Sequence, residues 1–261
     1  MTLELLVAAL FGLIFGSFLN VCIFRLPRDL SVVRPRSRCL DCGHGIAAYD
    51  NIPVLSYFLL GARCRHCRTA IHWRYPVVEA LTAVLFGVGV WVWGPTAQAA
   101  KFALFACLQV GMIFSDLETR LLPDEFTKGG ILAGLLIALL VPARLGIMGV
   151  FLPRSWERFF TLADAAAGAA VLSGAMWGIG YVFSKVRHKE GLGFGDVKMV
   201  AMIGAFQGIA PAVMTLFLGC IGGSVLSMGY IYLAKKDFAT YEIPFGSFLG
   251  VAALIVSIWI R

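Results

Sequence analysis

Residues 3–24 spell LELLVAALFGLIFGSFLNVCIF, an apolar run in which Glu4 is the only charged residue. A helix needs roughly 20 consecutive apolar residues to cross the hydrocarbon core of a bilayer. This run meets that length, and it exceeds the apolar core of a secretory signal peptide. We therefore expect it to be a retained membrane anchor.

The rest of the chain has the same character. It is 59% hydrophobic and only 14% charged, whereas soluble domains carry about 25% charged residues. The sequence therefore predicts an all-α membrane protein, a polytopic bundle of about eight transmembrane helices. The further apolar runs lie at residues 77–93, 102–115, 131–141, 162–184, 197–210, 213–233 and 245–260.

A basic loop follows the first apolar run, at residues 25–75. It holds nine Arg against three Asp, which is +6 of the chain's net charge of +7. Loops rich in Arg and Lys stay on the cytoplasmic side of a membrane, so this loop is predicted to be cytoplasmic and the N-terminus external. A charge excess held between two membrane anchors favours contact with anionic lipid and argues against a nucleic-acid partner.

Four of the seven cysteines lie in this loop, as two Cys-x-x-Cys pairs: Cys39 with Cys42, and Cys64 with Cys67. Two such pairs, here separated by 21 residues, are typical of a tetrahedral zinc site. Four thiolates complete the coordination of the ion and leave no open position for catalysis. The loop is therefore predicted to be a small domain held together by structural zinc.

Two disulfides are the alternative arrangement for the same cysteines. Thiols stay reduced in the cytoplasm, so the predicted location of the loop favours zinc. His44 and His66 lie beside the pairs and are alternative ligands.

Two acidic residues lie at the ends of apolar runs, where ionisable residues are functional candidates. Asp116 closes the third run and Asp196 opens the sixth, and both fall at the predicted cytoplasmic boundary. If their helices are neighbours, the two carboxyl groups share one proton. The charged carboxylate then activates water and the protonated one polarises a peptide carbonyl, which is aspartyl-protease chemistry. The alternative for each residue is a helix cap or an ion-pair partner at the lipid interface.

Residues around the two acids have supporting roles in this interpretation. Gly193 and Gly195 precede Asp196 and, lacking Cβ atoms, allow a close approach by an extended substrate backbone. Lys198 follows on the same helix. Asp124 is a second acidic candidate near Asp116, although an acid at a helix start is also favoured by the helix dipole.

Several motifs in order along the chain resemble the bacterial prepilin peptidases, the type IV leader peptidases among the GxGD intramembrane aspartyl proteases. The resemblance covers nearly the whole chain. It rests on the two Cys pairs and on Gly16-Ser17-Phe18-Leu19-Asn20-Val21, Arg25-Leu26-Pro27, Asn51-Ile52-Pro53, Arg74-Tyr75-Pro76-Val77-Val78-Glu79, Leu122-Pro123-Asp124 and Gly193-Phe194-Gly195-Asp196-Val197-Lys198.

The resemblance implies a location, a substrate and a second activity. Members of this family lie in the bacterial inner membrane and remove the basic leader from type IV prepilins and type II secretion pseudopilins, after a Gly. The catalytic pair corresponds to Asp116 and Asp196. Members that keep the four cysteines also methylate the new N-terminal amine with S-adenosylmethionine. Candidates for that methyl transfer are Asp50, Glu79 and Arg63.

The predicted domains follow from these motifs. Residues 1–24 form the first transmembrane helix, residues 25–75 the cytoplasmic zinc-binding domain and methyltransferase part, and residues 76–261 the transmembrane peptidase domain. Two other function classes compete with a peptidase. A transporter or channel would use its acids as proton relays but should carry them at mid-span, and a membrane-anchored zinc adaptor would not need either Asp.

Overall fold

The computed structural model describes residues 2–142, 156–188, 192–235 and 244–260. Within these ranges the regular structure is helical, apart from two isolated β-bridges in the basic loop. The helices, numbered in chain order, are α1 (Thr2–Arg25), α2 (Leu55–Leu59), α3 (Arg74–Trp93), α4 (Ala97–Thr119), α5 (Asp124–Leu140), α6 (Glu157–Arg187), α7 (Phe194–Gln207), α8 (Ile209–Leu233) and α9 (Phe245–Trp259).

The predicted apolar runs coincide with these helices, except that the run at residues 197–210 is divided at Gly208 between α7 and α8. The helices confirm the predicted all-α membrane fold. Five helices are long and apolar enough to cross a membrane, namely α1, α3, α4, α6 and α8. The other three long helices have only 14 to 17 residues. At 1.5 Å per residue, the 14 residues of α7 extend about 21 Å, which is less than the roughly 30 Å of a hydrocarbon core.

The chain divides into two compact units, Met1–Gly111 and Met112–Arg261. In the first unit, α1 packs antiparallel against α3 through residues without bulky side chains. A Cβ atom added to Gly12 would lie 2.5 Å from the Cα of Ala83, and one added to Gly16 would lie 2.7 Å from the Cα of Glu79. These two glycines therefore allow the helix backbones to approach closely, as small residues do in membrane bundles.

The second unit is organised around α7, which packs against α5, α6 and α8. Eight of its 14 residues are buried. Its contact with α6 is a glycine pair, because a Cβ atom on Gly204 would lie 2.4 Å from the carbonyl carbon of Gly168. Helix α7 ends at Gly208, where a φ of +79° suits glycine. A short helix enclosed by other helices needs no membrane-spanning length, and this placement positions Asp196 in its first turn.

Candidate active site and cysteine cluster

Asp116 lies in the last turn of α4 and is buried, with 6% of its surface exposed. Its Oδ2 atom accepts two hydrogen bonds from Ser247 in the first turn of α9, one from the backbone N–H at 2.8 Å and one from the hydroxyl at 2.8 Å. A Cβ atom on the neighbouring Gly246 would lie 3.3 Å from this carboxyl group. The first turn of α9 thus provides both hydrogen bonds and the space for the acid.

The chain reverses direction directly after Asp116. Arg120 adopts a left-handed conformation with a φ of +57° and donates its backbone N–H to the carbonyl of Asp116 at 3.0 Å. Pro123 then precedes α5. This turn directs Leu122 toward two glycines, because Cβ atoms added to Gly195 and to Gly246 would each lie 3.3 Å from its side chain.

Asp196 lies in the first turn of α7 and donates its backbone N–H to the carbonyl of Gly193 at 3.1 Å. A Cβ atom on Gly193 would lie 3.3 Å from Oδ2 of Asp196, so glycine leaves this carboxyl group accessible on that side. An acidic residue in a first turn is also stabilised by the helix dipole.

The structure brings Asp116 and Asp196 together. Leu122 lies against the glycine that precedes Asp196 and the glycine that borders Asp116. Two acidic residues 80 positions apart in sequence therefore flank the same leucine side chain, and their catalytic roles stay a prediction.

Asp124 and Lys198 form a separate cluster in the same unit. Lys198 on α7 pairs with Asp124 at the start of α5, and Lys128 pairs with the same carboxylate at 2.6 Å. The Lys198–Asp124 pair links α7 to α5 two residues after Asp196, whereas the Lys128–Asp124 pair lies within α5. The arrangement gives Asp124 two cationic partners and a place at a helix start.

Ser247 is the functional candidate that sequence reasoning missed. It is the third residue of the last apolar run, where a single Ser carries no charge and belongs to no recognisable spacing. A signal was present only in its neighbour Gly246, since glycine in the first turn of an apolar helix allows close backbone approach.

The two Cys pairs of the first unit form two equivalent turns. Cys39 donates its backbone N–H to the carbonyl of His44 at 2.9 Å, and Cys64 donates to the carbonyl of Thr69 at 2.8 Å. The residue after the second cysteine is left-handed in both turns, with a φ of +70° at Gly43 and +60° at Arg68. An antiparallel bridge closes each turn.

The four cysteines converge on one point and form a site that fits a metal ion. Their sulfur atoms all lie within 4.8 Å of one another, and the sulfurs of Cys39 and Cys67 are 3.7 Å apart. A tetrahedral ion with Zn–S bonds of about 2.3 Å requires sulfur separations of about 3.8 Å. The thiol of Cys67 lies 3.4 Å from the hydroxyl of Thr69, and the thiolate form of such cysteines is the one that binds metals.

The neighbouring histidines contact each other. The rings of His44 and His66 lie with their centroids 3.4 Å apart, and the group of possible metal ligands that the described residues form here contains the four cysteines alone.

The candidates for methyl transfer divide between a cavity and the surface. Asp50 and Glu79 both line a cavity of about 470 Å³ in the first unit. Arg65 binds Asp50 through two hydrogen bonds of 2.6 and 2.8 Å and holds the pKa of that carboxyl below its usual value. Arg63 is exposed in the second Cys turn and is not among the residues that line the cavity.

Comparison with protein families divides the chain into two matched segments. Residues 10–93 match the bacterial peptidase A24 N-terminal domain, which contains the cysteine cluster. Residues 102–228 match the type IV leader peptidase family, and this segment contains Asp116 and Asp196.

Curated relatives match nearly the whole chain. A "Prepilin leader peptidase/N-methyltransferase" from Pseudomonas putida is 32% identical over 97% of this chain and 89% of its own length. The proteins of the same name from Pseudomonas aeruginosa and Aeromonas salmonicida are 33% and 34% identical over 96% of this chain, and over 88% and 89% of their own lengths. No solved structure matches the chain.

These matches confirm the resemblance that the motifs indicated, and they do not favour the transporter or zinc-adaptor alternatives. Five apolar helices and relatives of this kind make it a multi-pass membrane protein. With two adjoining family segments and relatives above 30% identity along almost its full length, the chain belongs to the type IV leader peptidase family.

Proposed function

We propose that this chain is a membrane-embedded aspartyl endopeptidase that removes the basic leader from prepilins or pseudopilins, with Asp116 and Asp196 as its catalytic pair. The observation that carries the proposal is the convergence of these two carboxyl groups, one of them buried and doubly hydrogen-bonded. Ionisable groups in this setting are expensive to bury and are characteristic of function.

We assign Asp116 the role of general base in this pair. Two donors from Ser247 converge on its Oδ2 atom, and hydrogen bonds to a carboxylate favour its charged form. Asp196 then holds the shared proton. Two carboxyl groups in one site rarely ionise together.

Cleavage uses one acid as a base and the other as a proton donor. Asp116 takes a proton from a water molecule, whose oxygen attacks the carbonyl carbon of the scissile bond, while Asp196 donates its proton to the carbonyl oxygen. The tetrahedral intermediate then loses its C–N bond. The leader leaves with a new carboxyl group, which forms as one hydroxyl of the intermediate returns its proton to Asp196. The amine of the shortened protein receives the proton that Asp116 had taken, so both acids return to their starting states.

Ser247 suits both protonation states of Asp116. Its hydroxyl lies 2.8 Å from Oδ2 of Asp116 and 3.1 Å from the carbonyl oxygen of Ile113, and it has one proton to donate. The hydroxyl donates to Asp116 while the acid is charged. It turns to Ile113 when Asp116 becomes protonated and itself donates to the Ser247 oxygen.

The N-terminal unit carries the second activity that the relatives' name includes. We assign N-methylation of the new amine to this unit, with the loop at residues 25–75 as its polar part and S-adenosylmethionine as the methyl donor. The donor supplies the activated methyl group. The chain supplies the residues that bind the donor and the amine.

Zinc is the metal we assign to Cys39, Cys42, Cys64 and Cys67. Their sulfur separations suit a tetrahedral ion, and zinc prefers four thiolates in closed structural sites. The charge of the loop supports a bacterial inner-membrane protein with this loop and the catalytic pair on the cytoplasmic side and in contact with anionic lipid. There the basic leader of a substrate would lie beside the two acids.

Replacing either catalytic acid should abolish cleavage. Asp116→Asn and Asp196→Asn keep side-chain size and remove the titrating group, so we expect each to lower the rate of prepilin cleavage in detergent by about a thousandfold or more. Glu125→Gln is the matched control, because Glu125 is an exposed acid in the first turn of α5. Wild-type rates in either Asn variant would remove that residue from the mechanism.

Removing the Ser247 hydroxyl should slow the chemical step. Ser247→Ala leaves the backbone N–H that binds Asp116 and removes one charge-assisted hydrogen bond, so we expect kcat to fall about tenfold with KM unchanged. Ser224→Ala, on the exposed face of α8, should match the wild type. An unchanged kcat in Ser247→Ala would contradict the role of this hydroxyl.

Metal analysis of the purified chain tests the zinc assignment. We expect about one zinc ion per chain, and almost none in the double variant Cys42→Ser/Cys67→Ser, because two thiolates cannot complete the tetrahedron. The control is Cys220→Ser, at an exposed position on α8. Disulfide bonds between the loop cysteines in the native protein, detected by thiol titration, would refute a zinc site.

A further inference from the structure

The antiparallel pair α1–α3 ends in a polar contact at the level of the basic loop. Gly12 opposes Ala83 and Gly16 opposes Glu79. Four residues further along α1, the side-chain amide of Asn20 donates to the carbonyl oxygen of Tyr75 at 3.0 Å. Asn20 and Glu79 therefore lie on facing helices at neighbouring positions of this contact, and both line the cavity of about 470 Å³.

Asn20 lines the cavity and has an unused, buried acceptor. The residue is 2% exposed, and its Nδ2 atom is directed at two carbonyl oxygens, those of Tyr75 and Gly16. Because both neighbours of Nδ2 are acceptors, the orientation of the amide is fixed. Its Oδ1 atom has no hydrogen-bond partner among the described residues. A buried acceptor without a donor is costly in a folded protein.

Glu79 adds a carboxylate to the lining at the same end of the cavity. It is 7% exposed, and its Oε2 atom accepts the backbone N–H of Val54 at 2.7 Å. The hydroxyl of Ser17 on α1 is a second donor. Both donors are neutral, so they satisfy hydrogen bonds without supplying a positive charge. A buried carboxylate is stabilised most by a cationic partner.

The loop side of the cavity is lined by charged and aromatic side chains. Guanidinium groups line its loop side, including those of Arg34 and Arg38, together with the aromatic rings of Tyr49 and Tyr57. The cavity therefore has the amide of Asn20 and the carboxylate of Glu79 on its helices, and charged residues of both signs together with ring surfaces at the loop. Its volume lies within the range of small-molecule sites.

We propose that Asn20 and Glu79 form a binding site for a primary ammonium group. The ammonium group donates hydrogen bonds to the amide oxygen of Asn20 and to the carboxylate of Glu79, and its positive charge pairs with that carboxylate. This inference rests on the proposed methyl transfer. The chemistry is shared by two sources, since the amino-acid end of S-adenosylmethionine and the new N-terminus of the cleaved protein both carry a primary ammonium group.

Binding measurements on the full-length, zinc-containing protein in detergent distinguish these sources. The first pair of probes is S-adenosylhomocysteine, which has the ammonium group, and 5′-methylthioadenosine, which lacks the amino-acid end. The second pair is a short apolar peptide with Phe at a free N-terminus and the same peptide with an acetylated N-terminus. Dissociation constants from calorimetry are compared for the wild type, Glu79→Gln and Asn20→Leu.

The matched control is Thr82→Val, because Thr82 is a buried polar residue on α3 that does not line the cavity. Each site variant should weaken binding of one ammonium-bearing probe by about tenfold, the effect of losing one charge-assisted hydrogen bond. Binding of its amine-free counterpart should not change. Thermal unfolding measurements identify any variant that fails to fold. Glu79→Gln preserves the shape of the side chain, so the test rests on this variant if Asn20→Leu does not fold.

The outcomes separate the inference from the function on which it rests. A loss confined to S-adenosylhomocysteine assigns the site to the methyl donor, and a loss confined to the free peptide assigns it to the substrate. If the wild type binds both ammonium-bearing probes and the variants bind them equally well, the ammonium site is wrong and methyl transfer stands. If the wild type binds no probe, methyl transfer by this unit fails, and the site fails with it.

Discussion

A carboxyl group buried among apolar helices needs hydrogen-bond donors from the protein, because burial removes it from bulk water. Asp116 is such a group, and other segments of the second unit provide its hydrogen-bond donors and the space that it occupies. Both donors come from Ser247 at the start of α9, and Gly246 provides the space for this approach. Leu122 fills the gap between Gly246 and Gly195, which brings the first turn of α7 and its Asp196 to the same site. The placement of these two carboxyl groups therefore depends on contacts from three separate parts of the chain.

The first unit holds a polar loop of about 50 residues next to membrane-spanning helices. Glycines at positions 12 and 16 let α1 and α3 approach closely, so the two ends of the loop are fixed near each other and loop closure costs less entropy. The four cysteines tie the two turns together. A loop of this size cannot bury enough apolar surface to form a core, and a lined cavity remains between it and the helix ends.

Much of this arrangement was predictable from the sequence, because it depends on strong local patterns. Apolar runs fixed the helices, the two Cys pairs indicated one cluster, and the acids at span ends indicated a pair. The short α7 was less predictable, since a helix enclosed by protein and one enclosed by lipid are equally apolar. Ser247 and the free acceptor of Asn20 could not be predicted, because their roles arise from contacts with residues over 50 positions away. The domain limits at residues 24 and 75 and the catalytic roles remain predictions.

The central claim is that Asp116 and Asp196 act together while sharing one proton. Its most direct test is the pH dependence of kcat/KM for prepilin cleavage by the purified wild-type protein. A pair with one charged and one protonated member predicts a bell-shaped profile, because the rate falls when both acids are protonated and again when both are ionised. A profile that rises to a plateau and stays level at alkaline pH would mean that no protonated acid is needed, and it would contradict a shared-proton mechanism.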